Sequence, residues 1–145
     1  MFQELQKKAQ SLTPQKVKSD LFRFIRTLEK ELASVNADRL HTQSEDVDGN
    51  PIGFYSAATE AITGGRKRMG QPFDLKETGV FLNSLFAEVD NDSIFFDTSD
   101  DKKEEVLQNL LSKEIFGLTD LELNRVIEKE LLPYLLEYFN KNLLG

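Results

Sequence analysis

Apolar residues recur at three- and four-residue spacings after Pro14, and this periodicity predicts a long amphipathic helix. Thr13 is a suitable N-cap, and Pro14 fits the first helical turn, where its missing N–H is not needed. The apolar positions are Val17, Leu21, Phe24, Ile25, Leu28, Leu32 and Val35. The pattern therefore predicts one helix over residues 14–35. Residues 1–12 before it form either a short helix or a mobile N-terminal arm.

Alternation of apolar and polar residues replaces the helical spacing near residue 85 and predicts a β-hairpin. The inward positions are Leu85, Ala87 and Val89 in the first strand and Ile94 and Phe96 in the second. Asp90-Asn91-Asp92 supplies the turn. Since an isolated hairpin is only marginally stable in water, it must pack on the helices or join a sheet that neighbouring subunits complete.

Two stretches without periodicity, residues 36–53 and 64–76, are predicted to be long loops. The first is dense in turn-forming residues, and the second begins at Gly64-Gly65. A short helix from Tyr55 to Thr63 lies between them. Irregular segments as long as residues 36–53 are typically functional or mobile.

The C-terminal third is predicted to be helical. Apolar spacing indicates a helix from Asp100 to Leu111, and Thr119 with Glu122 forms a capping-box pattern that begins a final helix. Pro133 lies inside that helix and is expected to kink it. Together these elements predict an α+β fold in one domain over residues 1–145, with helices packed on a small antiparallel sheet.

Composition excludes several classes of function. The net charge of −7 opposes binding to phosphate backbones unless the Lys and Arg residues are segregated. The lack of cysteine excludes disulfides, thiolate catalysis and Cys-based metal sites. We find no signal-peptide pattern at the N-terminus and no apolar run long enough to span a membrane. We therefore expect a protein that is made and used in solution.

The polar segment around Asp46 is the first candidate for chemistry. With Gly49 as the sixth residue of a calcium loop, Ser44 and Tyr55 would occupy the ends, where an EF-hand needs Asp or Asn and a bidentate Glu. A tight Asp-Gly turn therefore explains the segment better, with weak cation binding as the alternative. The single histidine, His41, has no triad spacing and is interpreted as an ordinary loop residue.

The cationic run Arg66, Lys67 and Arg68 is the second candidate. It lies among glycines but lacks the Gly-Lys-Ser/Thr ending of a phosphate-binding loop. We interpret it as a solvated basic loop, or as a contact for DNA or for an acidic partner. The acidic pairs near residues 100–105 lie at a helix start, where anions favour the helix dipole, so no catalytic residue is predicted.

Two segments carry more apolar surface than one core needs. Phe95 and Phe96 are adjacent on a strand, so their side chains point to opposite faces. The last helix is apolar over more than one stripe, through residues that include Leu132, Leu136 and Tyr138. Such surfaces meet either a partner or a second core layer. These five residues are the candidate partner-binding positions.

The order of segments over residues 15–140 resembles the neck and tail-completion proteins of tailed bacteriophages, also called virion-morphogenesis or minor tail proteins. The resemblance rests on an Asp-Gly loop, a Thr-Gly segment that enters the hairpin, and an apolar bend before the last helix. The Asp-Gly loop is Thr42-Gln43-Ser44-Glu45-Asp46-Val47-Asp48-Gly49-Asn50-Pro51. The Thr-Gly segment is Leu75-Lys76-Glu77-Thr78-Gly79-Val80-Phe81-Leu82-Asn83-Ser84, and the return strand of the hairpin is Ser93-Ile94-Phe95-Phe96-Asp97. The apolar bend is Ile115-Phe116-Gly117-Leu118-Thr119.

The resemblance implies a structural protein of the virion neck, assembled in the host cytoplasm, with neither catalytic site nor cofactor. Copies would form a connector ring between the portal or head-closure proteins and the tail. The hairpin and the long loops would contact neighbouring subunits, and basic residues would face packaged DNA. A closed ring uses heterologous contacts related by rotation.

Two other functions compete with this prediction. A metal-dependent hydrolase would use loop carboxylates such as Asp46 and Asp48. A small DNA-binding module would use the basic loop at residues 66–68, and its affinity would fall with salt.

Overall fold

The computed structural model describes residues 1–55, 57–72, 75 and 79–145, apart from the side chain of residue 57. The N-terminal helices are α1 (Phe2–Ser11), α2 (Pro14–Arg26) and α3 (Glu29–Asp38), followed by a π-helical turn, Arg39–Gln43. The middle of the chain holds α4 (Ala57–Ile62), α5 (Val80–Asn83), β1 (Leu85–Val89) and β2 (Ile94–Thr98). The C-terminal elements are α6 (Lys103–Gln108), α7 (Asp120–Val126) and α8 (Leu132–Phe139), with π-helical turns at Ile127–Leu131 and Asn140–Leu144.

The predicted helix over residues 14–35 is two helices. The N-cap is as expected, since the Thr13 side chain accepts a hydrogen bond from the Lys16 N–H. The Thr27 hydroxyl donates to the Phe24 carbonyl at 2.6 Å, a local bond that competes with the helical pattern and bends helices. Consequently α2 ends at Arg26 and α3 begins at Glu29. Residues 2–11 form a helix, α1, which contacts the last π-helical turn.

The predicted loop at 36–53 was wrong over its first half, because α3 and the π-helical turn continue to Gln43. Its second half is a tight turn closed by a β-bridge between Glu45 and Pro51. Leu40 and Ile52 are fully buried, so the segment belongs to the core. The apolar periodicity fails here because buried polar side chains occupy inward positions.

The hairpin is confirmed. β1 and β2 pair antiparallel, with Leu85 opposite Thr98 and Val89 opposite Ile94. The Asp90 N–H donates to the Ser93 carbonyl at 2.8 Å and closes the predicted turn. Ala87 and Val89 are buried, which places the predicted inward face of β1 against the helices.

Two clusters of buried apolar side chains form the core. The first joins α2, α3, the hairpin and α7 through Ile25, Leu28, Leu32, Ala87, Val89 and Val126. The second lies under the turn at residues 44–53 and contains Leu40, Ile52, Phe81, Leu110 and Ile115. α3 packs along β1, so the sheet is covered on its inner side. The α+β class and the single compact domain are confirmed.

The last helical stretch runs without a break from Asp120 to Leu144 and contains Pro133, as predicted. The capping box between Thr119 and Glu122 is present. A π-helical turn then precedes α8, which places Pro133 in the first turn of α8, where no N–H of its own is required. The helix predicted over residues 100–111 is shorter and covers Lys103–Gln108.

The loop predicted over residues 64–76 lies partly outside the described residues, as do positions 76–78 of the segment that enters the hairpin. Its described part, 64–72, consists of turns and a β-bridge between Phe54 and Pro72. Among the residues whose structure is described, no helix has both the length and the hydrophobicity needed to cross a bilayer.

Candidate protein-interaction surface

The outer face of the hairpin carries an exposed aromatic side chain. Phe95 is 55% exposed, although it lies within β2. Its ring lies 6.4 Å from that of Phe86 on the neighbouring strand. The neighbouring Phe96 points the other way and packs against the first core cluster. The two adjacent phenylalanines therefore do face opposite sides, and Phe95 is the one available to a partner.

α8 presents an apolar strip to solvent. Leu132, Leu136 and Phe139 are 48%, 73% and 38% exposed and lie at helical spacings of four and three residues. Residues at these spacings share one helix face, so the three side chains form a continuous strip. Phe139 was not among the candidate positions, although its spacing from Leu132 and Leu136 is visible in the sequence.

Tyr138, a candidate position, is bound within the chain. Its hydroxyl donates to the Asp20 carboxylate at 2.7 Å, while the Tyr134 hydroxyl donates to the Asp20 carbonyl and the Tyr134 ring stacks on Phe24 at 4.2 Å. Burial and the hydrogen bond to Asp20 raise the pKa of Tyr138 to about 12. The hydrogen bonds from Lys16 and from Tyr138 lower the pKa of Asp20. These aromatic residues hold α8 on α2 and leave Leu132 and Leu136 facing outward.

The candidate carboxylates around Asp46 serve the fold of the turn. One Asp46 oxygen accepts from the backbone N–H groups of Asp48 and Asn50 at 2.9 and 2.7 Å, and the other accepts from the Ser112 hydroxyl at 2.7 Å. Burial alone would raise the pKa of Asp46, but these hydrogen bonds outweigh it and lower the pKa. Within the described ranges, no group of three or more His, Cys, Asp or Glu side chains could hold a metal ion.

Two of the three cations in the basic loop bind groups nearby in the chain. The Lys67 ammonium donates to the Tyr55 hydroxyl at 2.9 Å and lies 4.7 Å from the centroid of that ring. The Arg66 Nε donates to the Thr63 carbonyl, and Arg68 is exposed. His41 lies on the π-helical turn after α3, not in a loop as predicted.

Positive and negative residues are unevenly distributed along the chain, which the net charge of −7 does not show. Residues 1–30 contain seven Lys and Arg against three Asp and Glu, a net charge of +4. Residues 31–145 contain eleven against twenty-two, a net charge of −11. Because α1 and α2 carry the basic segment, one part of the molecule is electrostatically complementary to the rest.

A buried ion pair lies in the core, between the π-helical turn after α3 and the start of α7. The side chain of Arg39 is fully buried and donates to the Glu122 carboxylate and to the carbonyls of Ile115 and Gly117. Asn36 contributes two more bonds, to the Ile115 carbonyl and from the Gly117 N–H. The sequence gives no direct signal for this cluster beyond the polar residues that interrupt the periodicity after Val35.

We compared the chain with protein-family models, curated proteins and solved structures, and none of them matches.

Proposed function

We propose that this chain is a structural subunit that acts through contacts with other proteins, and that it forms part of the neck or tail-completion ring of a tailed bacteriophage. The observation that carries the proposal is the strip formed by Leu132, Leu136 and Phe139 on α8. Exposed strips of large apolar side chains mark protein contacts more often than isolated exposed residues do.

The arrangement of surfaces favours a heterologous contact, in which each copy uses two different faces. The inner face of the hairpin and residues Val126 and Leu131 pack into the same core cluster. The outer surface of the C-terminal helices, with the strip on α8, therefore lies on the side away from that cluster. A ring of identical subunits needs two distinct faces, and the strip on α8 is one of them. The basic N-terminal helices, which complement the acidic remainder of the chain, are the other. The virion location is supported by the segment order described above.

The basic loop favours a second contact, with packaged DNA or an acidic partner. Arg66, Lys67 and Arg68 are adjacent cations in a chain of net charge −7. Salt-dependent duplex binding that is lost when the three become Ser would support the DNA contact.

The neck assignment is tested by mixing the purified chain with candidate portal and head-closure proteins and separating the mixture by size-exclusion chromatography with light scattering. We expect the chain to move into a larger complex with one of them. If it elutes unchanged with every candidate, the neck assignment is wrong. Stoichiometric, sub-millimolar binding of Mg²⁺, Ca²⁺ or Mn²⁺ at Asp46 and Asp48 would instead favour a metal-dependent hydrolase.

A further inference from the structure

The hydrogen bonds at the ends of the hairpin fix which backbone groups face outward. The Ser99 N–H donates to the Ser84 carbonyl at 3.0 Å, and the Asp90 N–H donates to the Ser93 carbonyl at 2.8 Å. In an antiparallel pair, bonded and non-bonded residue pairs alternate, so the bonded pairs between these ends are Phe86 with Asp97 and Glu88 with Phe95. The N–H and C=O groups of Ile94, Phe96 and Thr98 therefore point away from β1.

The outer edge of β1 is covered at Val89 by side chains from the helices. The Val89 N–H donates to the Glu29 carboxylate at 2.8 Å, and the Arg26 Nε donates to the Val89 carbonyl at 3.3 Å. Both groups of Val89 thus point outward, as the alternation requires, and both are satisfied within the chain. This edge offers no place for another strand at Val89.

The outer edge of β2 is different. The Thr98 N–H is bound by the Asp97 carboxylate at 2.8 Å. The outward N–H and C=O groups of Ile94 and Phe96 have no hydrogen-bond partner among the residues that the structure describes. Among the described elements, β2 packs chiefly against β1. An uncovered edge of this kind is a template for an added strand.

Two further features of β2 define what would bind there. Phe95 is exposed between Ile94 and Phe96, so a strand beside β2 would cover its ring. Residues 84–100 contain five Asp or Glu and neither Lys nor Arg. Lys103 pairs with one of them, Asp97, at 2.9 Å, and the other four are Glu88, Asp90, Asp92 and Asp100. Pairing of β2 with β2 of a second copy would bring two such acidic hairpins together, which like-charge repulsion opposes. A segment rich in Lys or Arg would instead be attracted by the negative charge of the hairpin.

We infer that the outer edge of β2 binds an extended, basic segment of a different polypeptide, which adds a third strand through the backbone groups of Ile94 and Phe96 and covers Phe95. This inference rests on the proposed function and specifies how one partner is held.

The test uses the whole chain and a capped peptide of alternating lysine and valine, with the same peptide carrying glutamate for lysine as its control. Hydrogen exchange is followed by NMR. In the free chain we expect the amides of Ile94 and Phe96 to exchange at least about tenfold faster than those of Phe95 and Asp97, which lie in the ladder. The lysine peptide should remove that difference, and the glutamate peptide should not.

A matched pair of variants separates the backbone contact from loss of packing. Ile94→Pro removes an N–H that faces outward and leaves the bonds between β1 and β2 in place, since proline is tolerated at the first residue of a strand. Ile94→Ala loses similar packing but keeps the N–H. We expect Ile94→Pro to bind the lysine peptide about five- to tenfold more weakly than Ile94→Ala.

Three results would overturn the inference: no change of exchange at Ile94 and Phe96 with the lysine peptide, equal binding of the glutamate peptide, or protection that rises with the concentration of the chain alone. The last result would identify a second copy as the occupant. A chain that assembles with neck proteins yet ignores the peptide would keep the proposed function and remove only this inference.

Discussion

The guanidinium of Arg39 donates to the carboxylate of Glu122, across eighty-three positions of sequence, with the arginine side chain fully buried. The same carboxylate oxygen accepts the Thr119 N–H at 2.9 Å, so one glutamate both caps α7 and neutralises the buried cation. The pair joins the π-helical turn after α3 to the start of the C-terminal helices. It thereby holds in place the start of the helical stretch that carries α8 and its exposed strip.

Replacement of Arg39 by methionine is expected to lower the free energy of unfolding by about 3–5 kcal/mol, the usual cost of breaking a buried ion pair by removing one partner. The Gly117 carbonyl would also lose its donor, whereas the Ile115 carbonyl would keep the hydrogen bond from Asn36. Urea denaturation followed by circular dichroism measures the change. Arg125→Met, on the exposed side of α7, is the control and should change stability by less than about 0.5 kcal/mol. Equal effects of the two substitutions would contradict the structural role given to Arg39.

Asp46 predicts a loss of stability in acid. Because hydrogen bonds hold its pKa in the folded chain below the ordinary value, the unfolded chain binds the proton more readily. Its contribution is therefore present above the unfolded pKa of about 4 and is lost as the pH falls through the lower folded value.

Asp46→Asn should cost about 1.5 kcal/mol at pH 7, since hydrogen bonds to a charged group are replaced by neutral ones, and less near pH 2. Denaturant titrations of the two chains at several pH values give the difference. A difference that stays constant with pH would show that the charge of Asp46 does not contribute.

For Tyr138 we expect a loss of stability in strong alkali. Its pKa is raised to about 12 in the folded chain, so its contribution is complete below the unfolded value of about 10 and is lost as the pH rises towards 12. An ultraviolet titration at 295 nm should show a tyrosine that ionises near pH 12, and Tyr138→Phe should remove that step. If Tyr138→Phe leaves the titration above pH 11 unchanged, the bond to Asp20 does not form in solution.

The strip on α8 predicts a selective effect on assembly. Leu136 and Leu111 are each 73% exposed, but only Leu136 lies beside two other exposed apolar residues of the same helix. Leu136→Ser should weaken self-association by about tenfold or more, as expected for a residue at the centre of an interface, whereas Leu111→Ser should not. Sedimentation velocity compares the two variants. Similar losses for both would remove the special role of the strip.

Local patterns predicted much of this fold. The two faces of the hairpin follow from strict alternation, and the start of α7 follows from the capping box of Thr119 and Glu122. The π-helical turn after α3 could not be predicted, because Asn36 and Arg39 are polar yet buried, and their partners lie near residue 115. Burial of a polar residue depends on distant partners that spacing does not reveal.

The candidate surface was predictable to a similar degree. Alternation placed Phe95 on the outer face, and helical spacing placed Leu132 and Leu136 together. Tyr138 could not be assigned from spacing alone, since its hydroxyl is held by Asp20 at a distance of 118 positions in the chain. The uncovered edge of β2 depends on the side chains of Glu29 and Arg26 binding β1 instead, which is a tertiary feature.

We propose that this chain works by assembling, and assembly changes its molar mass in solution. Light scattering over a hundredfold range of concentration should show the mass rising from 16.6 kDa towards a fixed multiple of that value, as closed rings form. A mass of 16.6 kDa at every concentration, alone and with each neck protein, would show that the chain does not assemble.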